Sequence, residues 1–536
     1  MITLNNREVI KPMKRVKITF TGAVFDQLKE AMTWDGRERA AFLLCHSTTD
    51  GHRIKLMPHT VLVPEEEDYN SRSGGHYSLS PPFVEKAVNL AVETQSDLIQ
   101  GHIHPSGYPG EFSPVDAAEE PKLMAHVADK VNNIMHASLV FGNDLKSLDS
   151  WFYDRERDQL IPVEKVLVVG PEKLQVYVPP RSDVQGDQLQ PIQVRTAQAF
   201  GPEWVRLMGL LDFAVVGVSG LGGLQVEILT REGANSITLC DPDNIDGTNR
   251  NRLPYTTSRD EGKPKVDFYG DLAIRIDPDM EVRRFRTSLY DPQAQKAVAQ
   301  ADIVFGCVDS EARLSLNRLA CANLIPYFDL GATIQVENGE TTFVGGQVYS
   351  VIPGREVCLS CSGVFDTLKS RFLSPEEQDR ERRQGYLQGQ DTDDPQVMSL
   401  DMALVSQAYA LMRGYLLGQK NGSFFKVHYN EQGPKLTPVR SEPIGCFTCR
   451  PDGYLGRGDM VPALVPREKE EFKPPELPTN GQMDQVEDQE LDTGGDQCPK
   501  AEEDPSPSIG QESEDEIMEG EDTRVVSPTP FPPCCI

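Results

Sequence analysis

Two imidazoles, a carboxylate and a hydroxyl stand close together in the segment GHIHPSGYPGEFSPVD. His102 and His104 are two residues apart at the end of an apolar run, Asp97–His104. In an extended strand that spacing puts both rings on one face. Pro105 and Gly107 then turn the chain, and Ser113 and Asp116 fall at a helix start, where an anionic side chain is favoured. Two histidines and one carboxylate are three ligands for a zinc ion with its fourth position open. Zinc lowers the pKa of water held there to about 7. Glu38, just ahead of the apolar run Ala40–Cys45, is the candidate base. Ser113 is a candidate donor to the oxyanion formed at a scissile carbonyl.

A second group begins at Phe213–Gly223, FAVVGVSGLGG, where an apolar strand enters a glycine turn and then a helix. Gly217, Ser219, Gly220 and Gly222 make the turn, with Ser219 at the usual middle glycine. Asp241 ends the next apolar run, at the distance expected of a ribose-binding acid. This pattern alone fits any dinucleotide fold. The residues beyond it are cationic: Asn249 and Arg252 in TNRNR, then Lys265 in GKPK. A further strand delivers Asp309, followed by Arg313 and Asn317 on one helix. Cations, an asparagine and an aspartate after successive strands suit a triphosphate and Mg²⁺, which a nicotinamide site does not need. Arg252 and Lys265 would hold phosphates and Asp309 the magnesium. No Walker-type phosphate loop is present, and Leu221 stands where a nucleophile elbow needs glycine.

Third, Cys358 and Cys361 form one C-x-x-C pair and Cys446 and Cys449 another. Two such pairs close a tetrahedral site with no open position, the pattern of structural zinc. No cysteine lies between Cys361 and Cys446. Cys240, Cys307 and Cys321 fall on core strands or a helix.

These residues must be positioned by alternating strands and helices, so the fold class is α/β. A domain over 1–165 carries the histidines, and its helices start at Ser80-Pro81-Pro82 and at Pro114. Residues 166–192 read as a linker, 193–457 as a second domain, and 458–536 as a disordered tail. Between Arg467 and Ile536 there are 20 acidic and 5 basic residues, about half of the chain's net charge of −29. So acidic a chain is a poor partner for nucleic acid or an anionic membrane. No apolar stretch is long enough to span a bilayer. The beginning of the chain lacks a secretory signal's apolar core, so a reducing, cytoplasmic location is expected.

The first group resembles the JAMM (MPN-plus) metalloproteases. Glu38 before a strand, His102-Ile103-His104-Pro105 and Ser113-Pro114-Val115-Asp116 match that family's pattern. Ile103 replaces a small hydroxyl residue, and the loop to Ser113 is one residue longer than usual. The resemblance implies hydrolysis of peptide or isopeptide bonds after the terminal glycine of a ubiquitin-like protein. The second group resembles the ThiF/MoeB/ubiquitin-activating superfamily, with a Rossmann-like domain that adenylates the terminal carboxylate of such a protein. That resemblance implies nucleotide contacts from the glycine turn, Asp241 and Asp243, and phosphate contacts from Asn249, Arg252 and Lys265. It also implies magnesium at Asp309, structural zinc on the four cysteines, and a homodimer in which Arg195 serves the neighbouring site.

The expected protein is therefore bifunctional, trimming or deconjugating a ubiquitin-like protein and activating its carboxylate with ATP. Many relatives pass the acyl group to a cysteine in the crossover segment, which is absent here. A conjugating partner's thiol, a sulfur donor, or the hydroxyl of Ser399 as an oxyester could take its place. The alternatives are activation of a sulfur carrier for cofactor biosynthesis, and a non-catalytic scaffold for a ubiquitin-like protein.

Overall fold

The computed structural model describes residues 13–105, 107–130, 135–180, 189–308, 310–337, 340–355, 357–362, 395–419, 424–430, 433–438 and 446–465. The tail expected to be disordered therefore lies almost wholly outside the described residues, as does Asp309.

The first half contains strands β1 (Arg15–Thr21), β2 (Ala40–Thr49), β3 (Arg53–Leu62), β4 (Tyr69–Ser73), β5 (His76–Leu79), β6 (Asp97–Ile103), β7 (His136–Phe141), β8 (Leu148–Asp154), β9 (Gln159–Pro162), β10 (Lys165–Val169) and β11 (Leu174–Tyr177). Its helices are α1 (Gly22–Ala31), α2 (Pro81–Glu93) and α3 (Pro114–Lys130). Nine of the strands form one mixed sheet in the order β11-β10-β1-β3-β2-β6-β7-β8-β9, and β4 and β5 form a separate hairpin. Two of these strands correct the expected boundary. β10 and β11 lie inside the stretch read as a linker, yet they complete the sheet, β10 beside β1. KVLVV is an apolar run, and all five residues are buried.

One face of this sheet carries Val16, Ile18, Phe20, Leu43, Ile54, Leu56 and Val166, packed with Phe25 and Leu28 of α1. On the other face, Phe42, Leu44 and Leu98 meet Phe83, Ala87 and Val88 of α2.

The second half follows α4 (Val194–Phe200) and α5 (Pro202–Leu210). Its strands are β12 (Asp212–Val216), β13 (Ser236–Cys240), β14 (Glu281–Phe285), β15 (Ile303–Gly306), β16 (Tyr327–Glu337), β17 (Glu340–Val351), β18 (Phe424–Asn430) and β19 (Gly433–Pro438). The helices are α6 (Gly220–Arg231), α7 (Lys265–Ile276), α8 (Pro292–Ala299), α9 (Ser310–Ala322) and α10 (Met398–Leu416). The sheet order is β14-β13-β12-β15-β16-β17-β18-β19. The first five of these pair in parallel. Strands β12, β13 and β15 are buried along their whole length, as parallel strands covered by helices on both faces must be. In such a sheet, ligands bind beyond the carboxyl ends of the strands.

The two halves meet through buried charge. Lys17, Lys55 and Lys165 sit opposite one another on adjacent strands of the first sheet, and all are buried. Lys165 Nζ reaches Asp212 at 2.9 Å and Asp302 at 2.6 Å. Lys17 pairs with Asp302 and donates to the Gln300 carbonyl. Lys55 donates to the carbonyls of Ala299 and Ala301 at 2.7 and 2.8 Å, at the C-terminus of α8, where a cation is favoured. On the same face, Met57, Leu167, Val169 and Leu174 join the core of the second half. Burial pulls Lys55 well below its ordinary pKa. Lys165, equally buried, is held above its own by Asp212 and Asp302.

A second boundary also moves. Residues 458–465, expected to belong to the tail, are docked. Thr48 Oγ1 donates to Asp459 at 2.9 Å, and Gln295 exchanges two hydrogen bonds with the Leu464 backbone at 2.8 Å each. Among the described residues, no helix is long and apolar enough to cross a membrane.

Candidate functional site

Strand β6 and the start of α3 bring the first group together. His102 and His104 are buried, and their Nε2 atoms stand 3.2 Å apart. His104 Nε2 lies 3.1 Å from Asp116 Oδ2, and His102 Nε2 lies 3.5 Å from Asp116 Oδ1. His104 Nδ1 faces the Pro109 carbonyl at 3.2 Å. A proton on Nδ1 satisfies that carbonyl and leaves the Nε2 lone pair free. Two imidazole nitrogens and a carboxylate oxygen thus converge on one point, all ligand atoms within 4.8 Å of one another. The donor set fits a divalent cation of the zinc type.

Ser113 and Asp116 exchange bonds across the first turn of α3. Ser113 N donates to Asp116 Oδ2 at 2.8 Å, and Asp116 N donates to Ser113 Oγ at 3.2 Å. Burial works against the Asp116 carboxylate, but His102 and His104 beside it hold it well below the usual range. Glu38, also buried, is anchored by its backbone N–H to the Ser73 carbonyl at 2.8 Å. Desolvation raises its carboxyl, with His102 and His104 pulling the other way. A raised carboxylate suits a base working near neutrality.

Glu38, His104 and Asp116 line a cavity of about 580 Å³, together with Tyr77, Glu120 and Leu123. Two of these lining residues escaped the reading of the sequence. Glu120 lies one helical turn beyond Asp116, so the i, i+4 spacing was the available signal. It accepts from Ser138 Oγ at 2.6 Å, and burial raises its carboxyl. Tyr77 comes from the β4–β5 hairpin, its ring centroid 5.3 Å from that of His102, and nothing local marks it.

The second group gathers at the carboxyl ends of β12 and β13. Gly217 has φ +85°, a conformation that L side chains rarely adopt. Gly222 packs so closely on the Gly217 backbone that a Cβ there would overlap its carbonyl oxygen. Ser219 caps α6 without a side-chain bond, and Gly220 opens the helix. Asp241 accepts from Val218 N at 2.6 Å and from Asp243 N at 2.8 Å, so its carboxylate braces the glycine turn. Burial raises it, and Lys265 opposes that shift. Lys265 Nζ pairs with Asp243 at 2.9 Å. Asn249 ends a short 3₁₀ turn, Gly247–Asn249. Arg252 is partly exposed, and its buried Nε has no hydrogen-bond partner among the described residues.

Two residues of the expected cationic set are engaged elsewhere. Arg313 is buried in an ion pair with Asp329, Nε to Oδ1 at 2.8 Å. Asn317 supports the cysteines, donating to Ser360 Oγ at 3.0 Å and accepting from Leu359 N at 3.1 Å. Both lie on α9 with their side chains turned to the core, which their charge and polarity alone did not reveal. Arg195 is exposed on α4 and Ser399 is exposed in the first turn of α10. The start of α10 is tied to the cationic loop, because Asn251 Nδ2 donates to the Gln396 carbonyl at 2.7 Å. Two residues after Ser399, Asp401 is fully buried against Gly220 and Arg252. Neither of its carboxylate oxygens has a partner among the described residues. An acidic residue in a first turn looks like an ordinary dipole partner, so its sequence context hid it.

The cysteine pairs also converge. Sγ atoms of Cys358 and Cys446 are 3.7 Å apart, those of Cys361 and Cys449 3.8 Å, and those of Cys358 and Cys361 3.9 Å. Four thiolates about 2.3 Å from a central zinc would stand about 3.8 Å apart, so the donor set fits that ion.

Residues 194–440 match the model of the ThiF family. "Ubiquitin-like modifier-activating enzyme 5" of Caenorhabditis elegans is 32% identical over 161 residues, covering 28% of this chain and 36% of its own length. The protein of the same name from Drosophila mojavensis is 29% identical over 180 residues, covering 30% and 43%. The chain thus spans well under half the length of these relatives. Among solved structures, Escherichia coli MccB with ATP aligns over 50% of this chain and 76% of its own, at 16% identity and a TM-score of 0.38.

Proposed function

We propose that residues 193–457 use ATP to adenylate the C-terminal carboxylate of a ubiquitin-like protein. The observation that carries this is the ThiF match over 194–440, coinciding with a glycine turn, Arg252 and Lys265 beyond the carboxyl ends of parallel strands. The relatives named as ubiquitin-like modifier-activating enzymes support it. In the reaction a carboxylate oxygen bonds to the α-phosphorus, the bond to the bridging oxygen breaks, and pyrophosphate leaves. The glycine turn lets backbone approach the phosphates, and its helix N-terminus favours their charge. Arg252 and Lys265 neutralise charge that grows on the departing oxygens. Asp309 is the residue to hold magnesium, which would offset the remaining phosphate charge. Zinc on the four cysteines would be structural, since no position stays open. The acyl adenylate then passes to a conjugating partner, a sulfur donor or Ser399. By resemblance the chain works as a cytoplasmic homodimer, with Arg195 lent to the neighbouring site.

A second activity is favoured by one specific observation: His102, His104 and Asp116 converge on one point, and His104 and Asp116 line one cavity with Glu38. This half would hydrolyse peptide or isopeptide bonds after the glycine of the same modifier. A zinc ion bound there would polarise the scissile carbonyl. Glu38 takes a proton from attacking water and delivers it to the leaving amine. Ser113 Oγ would donate to the oxyanion.

The test is ATP–pyrophosphate exchange by the full chain with small ubiquitin-like proteins, with and without residues beyond their terminal glycine. Exchange should require Asp309, because Asp309→Ala removes the magnesium ligand. It should require Glu38 for the extended substrates alone, so that Glu38→Ala fails only with them. Nucleotide binding without exchange for any glycine-ended substrate would leave a scaffold as the better account.

A further inference from the structure

The chain that leaves the second cysteine pair does not stay within the second half. From Cys449 it runs through a series of tight turns. Gly453 N donates to the Arg450 carbonyl at 3.0 Å, and Tyr454 N to the Phe447 carbonyl at 2.9 Å. Gly456 N then donates to the Cys321 carbonyl at 3.1 Å, on the last turn of α9. At Gly458 the segment reaches β2 of the first sheet. A Cβ on Gly458 would overlap the Ser47 carbonyl oxygen. Asp459 accepts from Thr48 Oγ1 at 2.9 Å and from Thr49 N at 3.1 Å. Beyond it, the Leu464 backbone is fixed to Gln295 of α8.

This clasp has little of its own to hold it. Leu464 is the one apolar side chain buried among residues 450–465, and Met460 and Val465 are exposed. No part of it pairs as a strand. Ordering such a stretch costs conformational entropy that its own burial does not offset, so its start must be fixed from outside. Cys446 and Cys449 stand at that start, their Sγ atoms 3.7 Å from Cys358 and 3.8 Å from Cys361. Cys358 and Cys361 follow β17 and pack in the core of the second half. A metal on the four thiols therefore ties the near end of the clasp to that core, while Asp459 ties the far end to β2. The clasp is separate from the lysine row, which meets Asp212, Asp302 and the carbonyls beside them.

We propose that the four-cysteine site is the lock of a clasp between the two halves. With metal bound, residues 450–465 are held across the joint. Without it, the clasp leaves β2 while the lysine row still joins the halves. Zinc supply then sets how firmly the joint is closed. This rests on the reading of the four cysteines as a zinc site.

The experiment is hydrogen–deuterium exchange on the full chain carrying His102→Ala, which breaks the other ligand set found among the described residues. This protein should hold one equivalent of zinc. Removing it with a chelator should speed exchange at least tenfold over residues 450–465 and at the Thr49 amide, with strands β10 and β12 staying within twofold. Adding zinc back should reverse both changes. The wild type should respond in the same way, so the result does not hang on how well the variant folds. Asp459→Ala releases the far end instead. It should speed exchange over residues 457–465 while the zinc equivalent stays in place. Zinc release that leaves the Thr49 amide protected, or that speeds exchange equally in β10 and β12, would overturn the inference. A chain that holds no zinc on these cysteines would overturn it too, and metal content tells that failure of the zinc reading from failure of the clasp.

Discussion

Burial of charge without a partner is expensive, and Asp401 shows the expense in its titration. Desolvation pushes its carboxyl up to about 7, with Arg252 opposing. The unfolded chain would ionise the same group near pH 4. Below that pH both states carry the proton and no difference arises. Between about pH 4 and 7 the unfolded state ionises first, so stability falls as pH rises. Above the folded value the full penalty is present. Asp401→Asn should therefore raise stability by about 2–4 kcal/mol at pH 8 and by almost nothing near pH 4. Thermal or denaturant unfolding across that range checks the slope, and a gain independent of pH would contradict it. At this scale the sequence was legible where residues share one local segment. His102, His104 and Asp116 were readable because one strand and one helix start place them all. Arg313 and Asn317, noted only as following Asp309 on one helix, turn to the core. Their partners Asp329, Leu359 and Ser360 lie elsewhere in the chain.

Among the elements, the strand–turn–helix of β12 and α6 depends on atoms that are missing. A Cβ at Gly222 would overlap the Gly217 carbonyl, and one at Gly217 would strike the Cys307 backbone. Gly222→Ala should displace the turn and cost on the order of 1–3 kcal/mol, the range for overpacking. Nucleotide affinity should fall at least tenfold, while the cleavage proposed for the first half stays unchanged. Isothermal titration with a non-hydrolysable ATP analogue measures the first, and a peptide cleavage assay the second. The glycine pattern made this element readable in advance. β10 and β11 were harder, because PPRSDVQGDQLQP lies close after them and its turn-rich composition coloured the whole stretch. β10 takes its place in the sheet by pairing with β1, nearly 150 residues earlier in the chain, and β11 then adds to β10; no local window contains the first of these pairings.

The two halves meet in part through the lysine row on the first sheet. A lysine in a strand usually marks a solvent face. Instead Lys17 and Lys165 share Asp302, and Lys165 shares Asp212. Removing one member of such a cluster leaves the others buried without compensation, typically at a cost of about 3–5 kcal/mol. Asp302→Ala should destabilise the chain by that much in denaturant unfolding. A loss under 1 kcal/mol would mean that water reaches the lysines.

The contacts of Lys17, Lys55 and Lys165 with the second half do not depend on the peptide bonds that join the halves. A chain cleaved between residues 181 and 188 keeps every one of them, so the two pieces should still travel as one particle through a sizing column. Expressed alone, either piece would expose a strip of stranded charge and apolar surface that its partner now covers. The row of lysines thereby acts as a ratio keeper. Each particle carries one His102–His104–Asp116 cluster for every glycine turn, and no proteolytic event at that junction can change the proportion.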